Sequence, residues 1–330
     1  MKNESFKRDK KSSSINLDNL DSINGFKIDE KIKGFKIDKN IKLSEIPNLY
    51  KTLGLQGSNV GIAFDLLKKM KDEKVAIFLS CTSNMISSGL REIIAQLVKN
   101  KAVKAIITTT GAVEEDIMKC KDNFYLGDFN ANDSEVKGNK LNRIGNILVK
   151  DDSYCDLEEW HNKFLEEMCK KKKIWAPSDY IKEMGLKLND ENSVLYWAAR
   201  NDIPIYCPGF VDGALGDHFY FFNKKMKDKI VIDQAADVEK FYDLIIQPEK
   251  IGGLILGGGI AKHHLIGASI IRDGLNYAIY IQTGSEYDGS LSGAKPKEAI
   301  SWSKLKDLRN SVCVEADATL VLPLIASALL

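Results

Sequence analysis

The sequence predicts an α/β protein: a parallel sheet with helices on both faces. Two patterns lead there. Short apolar runs of strand length alternate with longer segments of helical period, and the glycines and polar clusters fall just after the apolar runs. Strands apolar on both sides belong to parallel sheets covered by helices. In such sheets ligands bind beyond the carboxyl ends of the strands, which is where these clusters lie.

The elements follow in order. Residues 1–24 are polar and include Lys7-Arg-Asp-Lys-Lys-Ser-Ser-Ser14; they read as a flexible arm. A tandem nonapeptide comes next, Gly25-Phe-Lys-Ile-Asp-Glu-Lys-Ile-Lys33 and Gly34-Phe-Lys-Ile-Asp-Lys-Asn-Ile-Lys42. Two copies fall short of the three stacked units a solenoid needs. They read as a local duplication over 25–42, one copy docking on the body and the other spacing it. Residues 43–330 form a single domain. Its first helix is expected over 44–70, with Leu53, Val60, Ala63, Phe64, Leu66 and Leu67 as apolar positions. A strand at 75–79, a helix at 89–100 and a strand at 105–109 follow. Later strands are expected at 203–207, 253–256, 277–281 and 312–314, and helices at 157–171, 193–201 and 263–271.

Composition narrows the class. With 330 residues, 44% hydrophobic and 28% charged, the chain can bury a sizeable core. Lys+Arg 47 against Asp+Glu 46 gives a net charge of +1, so no bulk field draws it to nucleic acid or membrane. Its opening residues lack the apolar core of a signal peptide. The longest apolar-leaning runs, 252–261 and 319–330, are shorter than the roughly 20 residues that span a bilayer. Six scattered cysteines without a Cys-x-x-Cys pair argue against a metal cluster or disulfide framework. They fit reduced thiols in a cytoplasmic protein, and no metal is expected.

Five clusters carry chemistry. Thr82-Ser-Asn-Met-Ile-Ser-Ser-Gly89 offers hydroxyls and helix N–H groups for a pyrophosphate, although N-capping explains the same residues. Thr109-Thr-Gly-Ala-Val-Glu-Glu-Asp116 pairs a close-approach turn with acids for a ribose or an amine; a helix start with acids near the dipole is the plain alternative. Asp212-Gly-Ala-Leu-Gly-Asp217 suits a polyamine or simply a turn, and it has too few oxygens for a hard metal. Leu256-Gly-Gly-Gly-Ile-Ala-Lys-His-His264 makes a strand-to-helix turn but lacks the Gly-x-Gly-x-x-Gly spacing. Its adjacent histidines project about 100° apart and cannot share one metal, so one is assigned to the site and one to structure. The fifth runs from Glu286-Tyr-Asp-Gly-Ser-Leu-Ser-Gly to Trp302-Ser-Lys304, followed by Glu315-Ala-Asp-Ala318. Acids and an indole make a place for a cation, and a lysine held among apolar groups or beside other cations serves as a nucleophile.

This last cluster closely resembles the active-site signature of deoxyhypusine synthases, and all five occur in that family's order and approximate spacing. The similarity runs from about Gly34 nearly to the C-terminus and includes Ile144-Gly-Asn-Ile-Leu-Val149 and Trp175-Ala-Pro-Ser178. It implies a catalytic domain with a Rossmann-like, NAD-binding fold. NAD contacts would fall on Ser83, Asn84, Met85, Ile86, Ser87, Thr109, Thr110 and Gly111. They continue at Glu115, Asp212, Thr283, Gly284, Asp317 and Ala318. Spermidine contacts would fall on Glu114, Glu115, Asp217, Gly258, His263, Gly289, Ser290, Glu298 and Trp302. Lys304 would be the covalent nucleophile and His263 the group that handles protons.

The implied reaction moves the aminobutyl group of spermidine through an imine on Lys304 to a lysine of translation initiation factor 5A precursor, giving deoxyhypusine. The expected assembly is a homotetramer, a dimer of dimers with sites shared across a tight interface. Three positions depart from the family. Leu291 replaces a frequent aspartate, Gly267 a frequent asparagine, and Ser303 the usual glycine between tryptophan and lysine. The lost aspartate leaves room for a homospermidine synthase that uses putrescine as acceptor. A catalytically silent NAD-binding subunit is the other alternative, and the intact Lys304, His263 and glycines speak against it.

Overall fold

A computed structural model describes residues 31–330. The arm expected over 1–24 and residues 25–30 of the first nonapeptide lie outside the described residues. Six strands make the central sheet: Ala76–Cys81 (β1), Ala105–Ile107 (β2), Ile205–Tyr206 (β3), Ile251–Leu256 (β4), Tyr277–Gln282 (β5) and Ser311–Glu315 (β6). Their order is β6-β5-β4-β1-β2-β3, and every pairing is parallel. The chain builds outward from β1 to β3, returns, and builds the other way from β4 to β6. The carboxyl ends of β1 and β4 therefore lie side by side where the winding reverses, and a doubly wound sheet opens a crevice there.

Alternation along the strands explains why helices cover both faces. Ile77, Leu79, Leu254, Leu256, Ile279, Ile281, Val312 and Val314 enter one core cluster, packed with Leu67, Met70, Leu97 and Leu322. Phe78, Ile255, Ala278 and Tyr280 point the other way, toward Phe241, Leu265 and Leu305. The expected parallel sheet with two helical faces is the observed one.

The boundaries differ in instructive places. The helix expected over 44–70 is two helices, Ile46–Tyr50 and Leu55–Asp72, because Gly54 (φ 82°) turns the chain between them. The second strand stops at Ile107, since Thr109 is already the cap of helix Thr110–Lys119. The helix expected from 263 starts earlier, as Gly259–Ala268, and ends in a 3-10 turn, Ser269–Arg272. Helices Pro177–Lys187, Ala214–Lys225 and Gln234–Ile246 were not expected, nor was a small antiparallel sheet of Tyr125–Leu126, Leu141–Ile144 and Ile147–Lys150. The second nonapeptide copy has no regular structure. Phe35 stacks on Tyr50 at 6.1 Å, and the Lys33 backbone bonds Thr52.

One buried hub locks the helices beside β1 and β2. Asp116, fully buried, accepts from Arg91 Nε at 2.6 Å, Ser193 Oγ at 2.7 Å and Leu195 N at 2.8 Å. Arg91 Nη2 reaches on to Asp190 at 2.7 Å. Helices Leu90–Lys99, Thr110–Lys119 and Val194–Asn201 are thereby tied to one carboxylate.

Candidate active site

The crevice at the switch point is real space. A cleft of about 260 Å³ is lined by Thr82, Asn84 and Met85 after β1, by Gly257 and Gly258 after β4, and by Thr283, Gly284, Ser292, Asp317 and Ala318. Gly257 holds φ 83°, and a Cβ on Gly258 would lie 2.6 Å from Ser292 Cα, so only glycine lets these two turns meet. Asp317 Oδ1 caps helix Ala318–Ile325 through Thr319 N at 2.7 Å, which leaves Oδ2 for a ligand. Six of the expected cofactor residues thus share one cleft.

A second group adjoins it through Ser83, whose Cβ and Oγ a Cβ on Gly111 would meet at 3.0 and 3.2 Å. Ser87 Oγ donates to Glu115. Glu114 Oε1 accepts from Leu215 N at 2.8 Å, and Thr110 Oγ1 donates to the Gly209 carbonyl at 2.7 Å. Burial pushes the Glu115 carboxyl up to about 7 against the pull of the Ser87 hydroxyl. Burial also raises Glu114, and the negative charges of Asp217 and Asp212 add to it. The segment 212–217, read from sequence as a turn or amine site, proves to be a glycine entry (Gly213) into helix Ala214–Lys225, with Asp217 in its first turn. The Ile86 side chain turns away, into a core void with Ile94 and Val113.

The third group surrounds Lys304. Helix Pro296–Ser301 ends at Trp302, and Lys304 N donates to Ala299 O at 2.9 Å while Ser303 N donates to Ile300 O at 3.0 Å. That is a Schellman ending, which wants a left-handed residue in the position Ser303 fills at φ 53°. The Lys304 carbonyl accepts from Leu275 N at 3.0 Å, stitching the turn to the core. The Lys304 side chain lies in a small pocket with Lys262, Tyr280, Leu291, Glu298 and Trp302; its Nζ stands 5.2 Å from the Trp302 ring centroid. Ser303→Gly should stabilise the fold by about 1 kcal/mol by removing the left-handed penalty. Chemical denaturation of the two proteins checks it, and no gain would mean the turn is unstrained.

His263 is exposed on helix Gly259–Ala268, whereas His264 stacks on Phe241 at 4.8 Å, where burial lowers its imidazole to about 4. The division into one site histidine and one structural histidine fits this geometry. A Cβ on Gly267 would come only within 3.8 Å of His263 Cε1, so the glycine leaves the ring unpacked one turn on. Gly289 (φ 73°) and Ser290 sit on the exposed loop above, where Ser290 N donates to Asp288 at 2.7 Å.

Three residues in this third group escaped the sequence reading. Lys262 is fully buried, with Nζ bonded to Gln282 Oε1 at 2.7 Å and Ala294 O at 2.8 Å, and burial lowers it to about 8. Gln282 Nε2 donates to Gly293 O at 2.8 Å, so the pair clamps the loop that leads to Lys304. The buried Tyr280 hydroxyl has no hydrogen-bond partner among the described residues and lines the same pocket.

Not everything converges. No hydrogen bond or ion pair among the described residues joins Lys304, Trp302 or Glu298 to Glu114, Glu115 or Asp217. A larger cavity, about 490 Å³, lies elsewhere, at the edge strand β3, where Lys182 and Lys240 are matched by Asp202 and Asp179. No helix among the described residues is long and apolar enough to cross a membrane.

A doubly wound sheet with a cleft at its switch point and a buried amine nearby defines a Rossmann-type α/β enzyme. The family model for deoxyhypusine synthase matches residues 45–329. A deoxyhypusine synthase of Candida glabrata is 41% identical over 329 residues, spanning 86% of each chain. One from Senecio vernalis is 39% identical over 314 residues, spanning 86% of this chain and 84% of its own. The crystal structure of an Entamoeba histolytica protein assigned as a deoxyhypusine synthase superposes with a TM-score of 0.65 at 30% identity, covering 90% of this chain and 96% of that one. The chain belongs to the deoxyhypusine synthase family and is an enzyme of that type.

Proposed function

We propose that this enzyme uses NAD and spermidine to modify one lysine of translation initiation factor 5A precursor, through an imine on Lys304. The observation that carries the reading is the Lys304 amine itself. The residue is 8% exposed, and its Nζ faces Trp302 with no hydrogen-bonding or acidic partner among the described residues. An amine removed from water and left without a counter-ion is suited to attack an electrophilic carbon.

The switch-point cleft fits NAD. Its glycine turns leave the backbone bare of side chains where a pyrophosphate can approach, and Asp317 Oδ2 is free to accept from a ribose hydroxyl. Ser83, Asn84, Met85, Thr109, Gly111, Asp212, Thr283, Gly284 and Ala318 would complete the contacts. When bound, NAD supplies the acceptor, and later the donor, of the hydride taken from beside the secondary amine. The remaining work belongs to the chain. Glu114, Glu115 and Asp217 supply negative charge for an ammonium group, Glu298 another for its opposite end, and Trp302 covers the methylenes. His263 exchanges protons with the reacting nitrogen. Lys304 Nζ bonds the aminobutyl carbon as the bond to 1,3-diaminopropane breaks, and the acceptor lysine then displaces Lys304.

Within one chain no bond joins the acids of the second group to Lys304, and they do not line its pocket, which supports completion of each site by a second copy in a cytoplasmic homotetramer. Leu291 in the Lys304 pocket removes a possible anion and keeps the homospermidine reading open. Labelled spermidine offered with either acceptor decides between them. Label is expected on the factor precursor, dependent on NAD, and label on putrescine alone would overturn the assignment.

The Glu115 carboxyl adds a pH signature. Its folded-state value is raised to about 7, so it holds a proton below that pH and gains charge above it. Spermidine capture should therefore strengthen as pH rises from 6 through 8, and Glu115→Gln should flatten the trend. Binding measured across that range checks the sign; tighter binding at pH 6 would contradict it.

A further inference from the structure

Outside the three groups, a chain of buried polar side chains crosses three helices. His161, on helix Asp151–Lys171, is fully buried. Its Nδ1 lies 3.1 Å from Nδ1 of His218, on helix Ala214–Lys225, and its Nε2 lies 2.9 Å from the Tyr180 hydroxyl, on helix Pro177–Lys187. Phe164 and Phe219 box the His161 ring at 6.3 and 5.3 Å. Tyr180 has no exposed surface and His218 only 7%.

Hydrogen counting fixes the tautomers. If Tyr180 donates to His161 Nε2, His161 donates Nδ1–H to His218 Nδ1, and His218 keeps its hydrogen on Nε2. Each hydrogen inside the chain then has an acceptor. In the opposite register the Tyr180 hydrogen has none among the described residues, at the cost of an unmet buried donor. A further proton on either imidazole reverses the Tyr180–His161 bond, leaving the Tyr180 hydrogen unmet, and buries a charge as well. Burial lowers both imidazoles, His161 strongly. The charged groups that oppose this at His218 are Glu158, on the His161 helix, and Asp217, its own neighbour in sequence. Tyr180 is the only titratable group facing the pair from the third helix, and burial keeps it neutral.

We propose that Tyr180, His161 and His218 form a positioning chain for Asp217, docking the first turns of helix Ala214–Lys225 only while both imidazoles are neutral. Asp217 and His218 are adjacent in this helix and project about 100° apart. With His218 pinned inward, Asp217 stays on the side that bears on Glu114, whose carboxyl its charge raises. The claim about substrate rests on the reading of Asp217 as an amine contact; the claim about docking does not. The sign follows from linkage. Both imidazoles have depressed values in the docked state, so their contribution is complete above about 6.5 and is lost as pH falls below it.

Hydrogen exchange of the peptide over 214–225, corrected for intrinsic rates, tests the docking in the full protein. Opening should increase roughly tenfold or more between about pH 6.5 and 5.5, because freed imidazoles take up protons. In the Tyr180→Phe/His161→Leu/His218→Met variant, opening should be independent of pH. Equal opening of the wild-type peptide at both pH values overturns the proposal, even if the variant does not fold. A separate cycle tests the positioning: His161→Ala should raise the KM for spermidine with little change in kcat, and Asp217→Asn should add nothing to it. Independent, additive effects on KM would overturn positioning. No effect of Asp217→Asn alone would instead refute Asp217 as an amine contact, with the exchange result standing apart.

Discussion

Lys304→Ala is expected to lower turnover by roughly 10³-fold or more, the scale of removing a covalent nucleophile. The change should act on chemistry and leave the fold intact. Lys304 is held by its backbone, through Ala299 O and Leu275 N, and alanine keeps both bonds. Its side chain contributes apolar contact and a cation–π approach to a Trp302 ring that is itself 61% exposed. NAD affinity should change little, because Lys304 lines a different pocket from the switch-point cleft. Lys304→Arg should be as inactive, since a guanidinium keeps the charge but remains protonated and cannot attack. Steady-state rates with nucleotide binding measured in parallel separate these effects. Appreciable turnover in either variant would move the nucleophile elsewhere, with Lys262 the next amine in the pocket.

Asp116→Ala is expected to cost about 3–5 kcal/mol of stability, the usual result of removing one partner from a buried ion pair. The loss has three parts. Arg91 keeps a buried charge with only Asp190 and the longer, half-exposed Glu92 contact left to answer it. The entry to helix Val194–Asn201 loses its acceptor at Leu195 N, and Ser193 Oγ loses its partner. Replacing both Arg91 and Asp116 by apolar residues of similar volume should recover much of the loss, since no uncompensated charge is left behind. Denaturant unfolding of the single and double variants checks both statements. A loss below about 1 kcal/mol for Asp116→Ala would mean water reaches Arg91 and relieves it.

The sheet was legible because its strands are apolar on both faces, a pattern few other elements produce. All six strands were placed within two residues at each end. The doubly wound order was not legible, since no local pattern says that β4 pairs with β1. Helix Ala214–Lys225 was hidden by the Asp-Gly-Ala-Leu-Gly-Asp spelling, which suits a turn as well as a helix entry. Glycine contributed in opposite ways. Gly54 breaks a helix that the apolar period runs straight through, whereas Gly257 and Gly258 were correctly read as a strand-to-helix turn.

At the site, the expected cofactor residues lie along one edge because their clusters follow β1, β2, β3, β5 and β6, whose carboxyl ends share it. Lys262 and His161 were missed although a signal existed. Lys262 stands one turn before Leu265 and Ile266, and His161 one turn before Phe164 and Leu165, each on an apolar stripe. A polar residue at such a position is buried with its partners, and the partners come from other helices or loops. Ser303 shows the reverse. It stands where the family usually has glycine, and its φ of 53° is the left-handed conformation glycine favours.

The central claim is an aminobutyl group carried on Lys304. Purified protein incubated with spermidine and NAD, then reduced with borohydride, should gain the mass of one butylamine group, mapping by peptide analysis to Lys304. Adding the factor precursor before reduction should clear that adduct from the enzyme and place the group on the precursor. NAD binding without any adduct, or an adduct that maps to another lysine, would contradict the account.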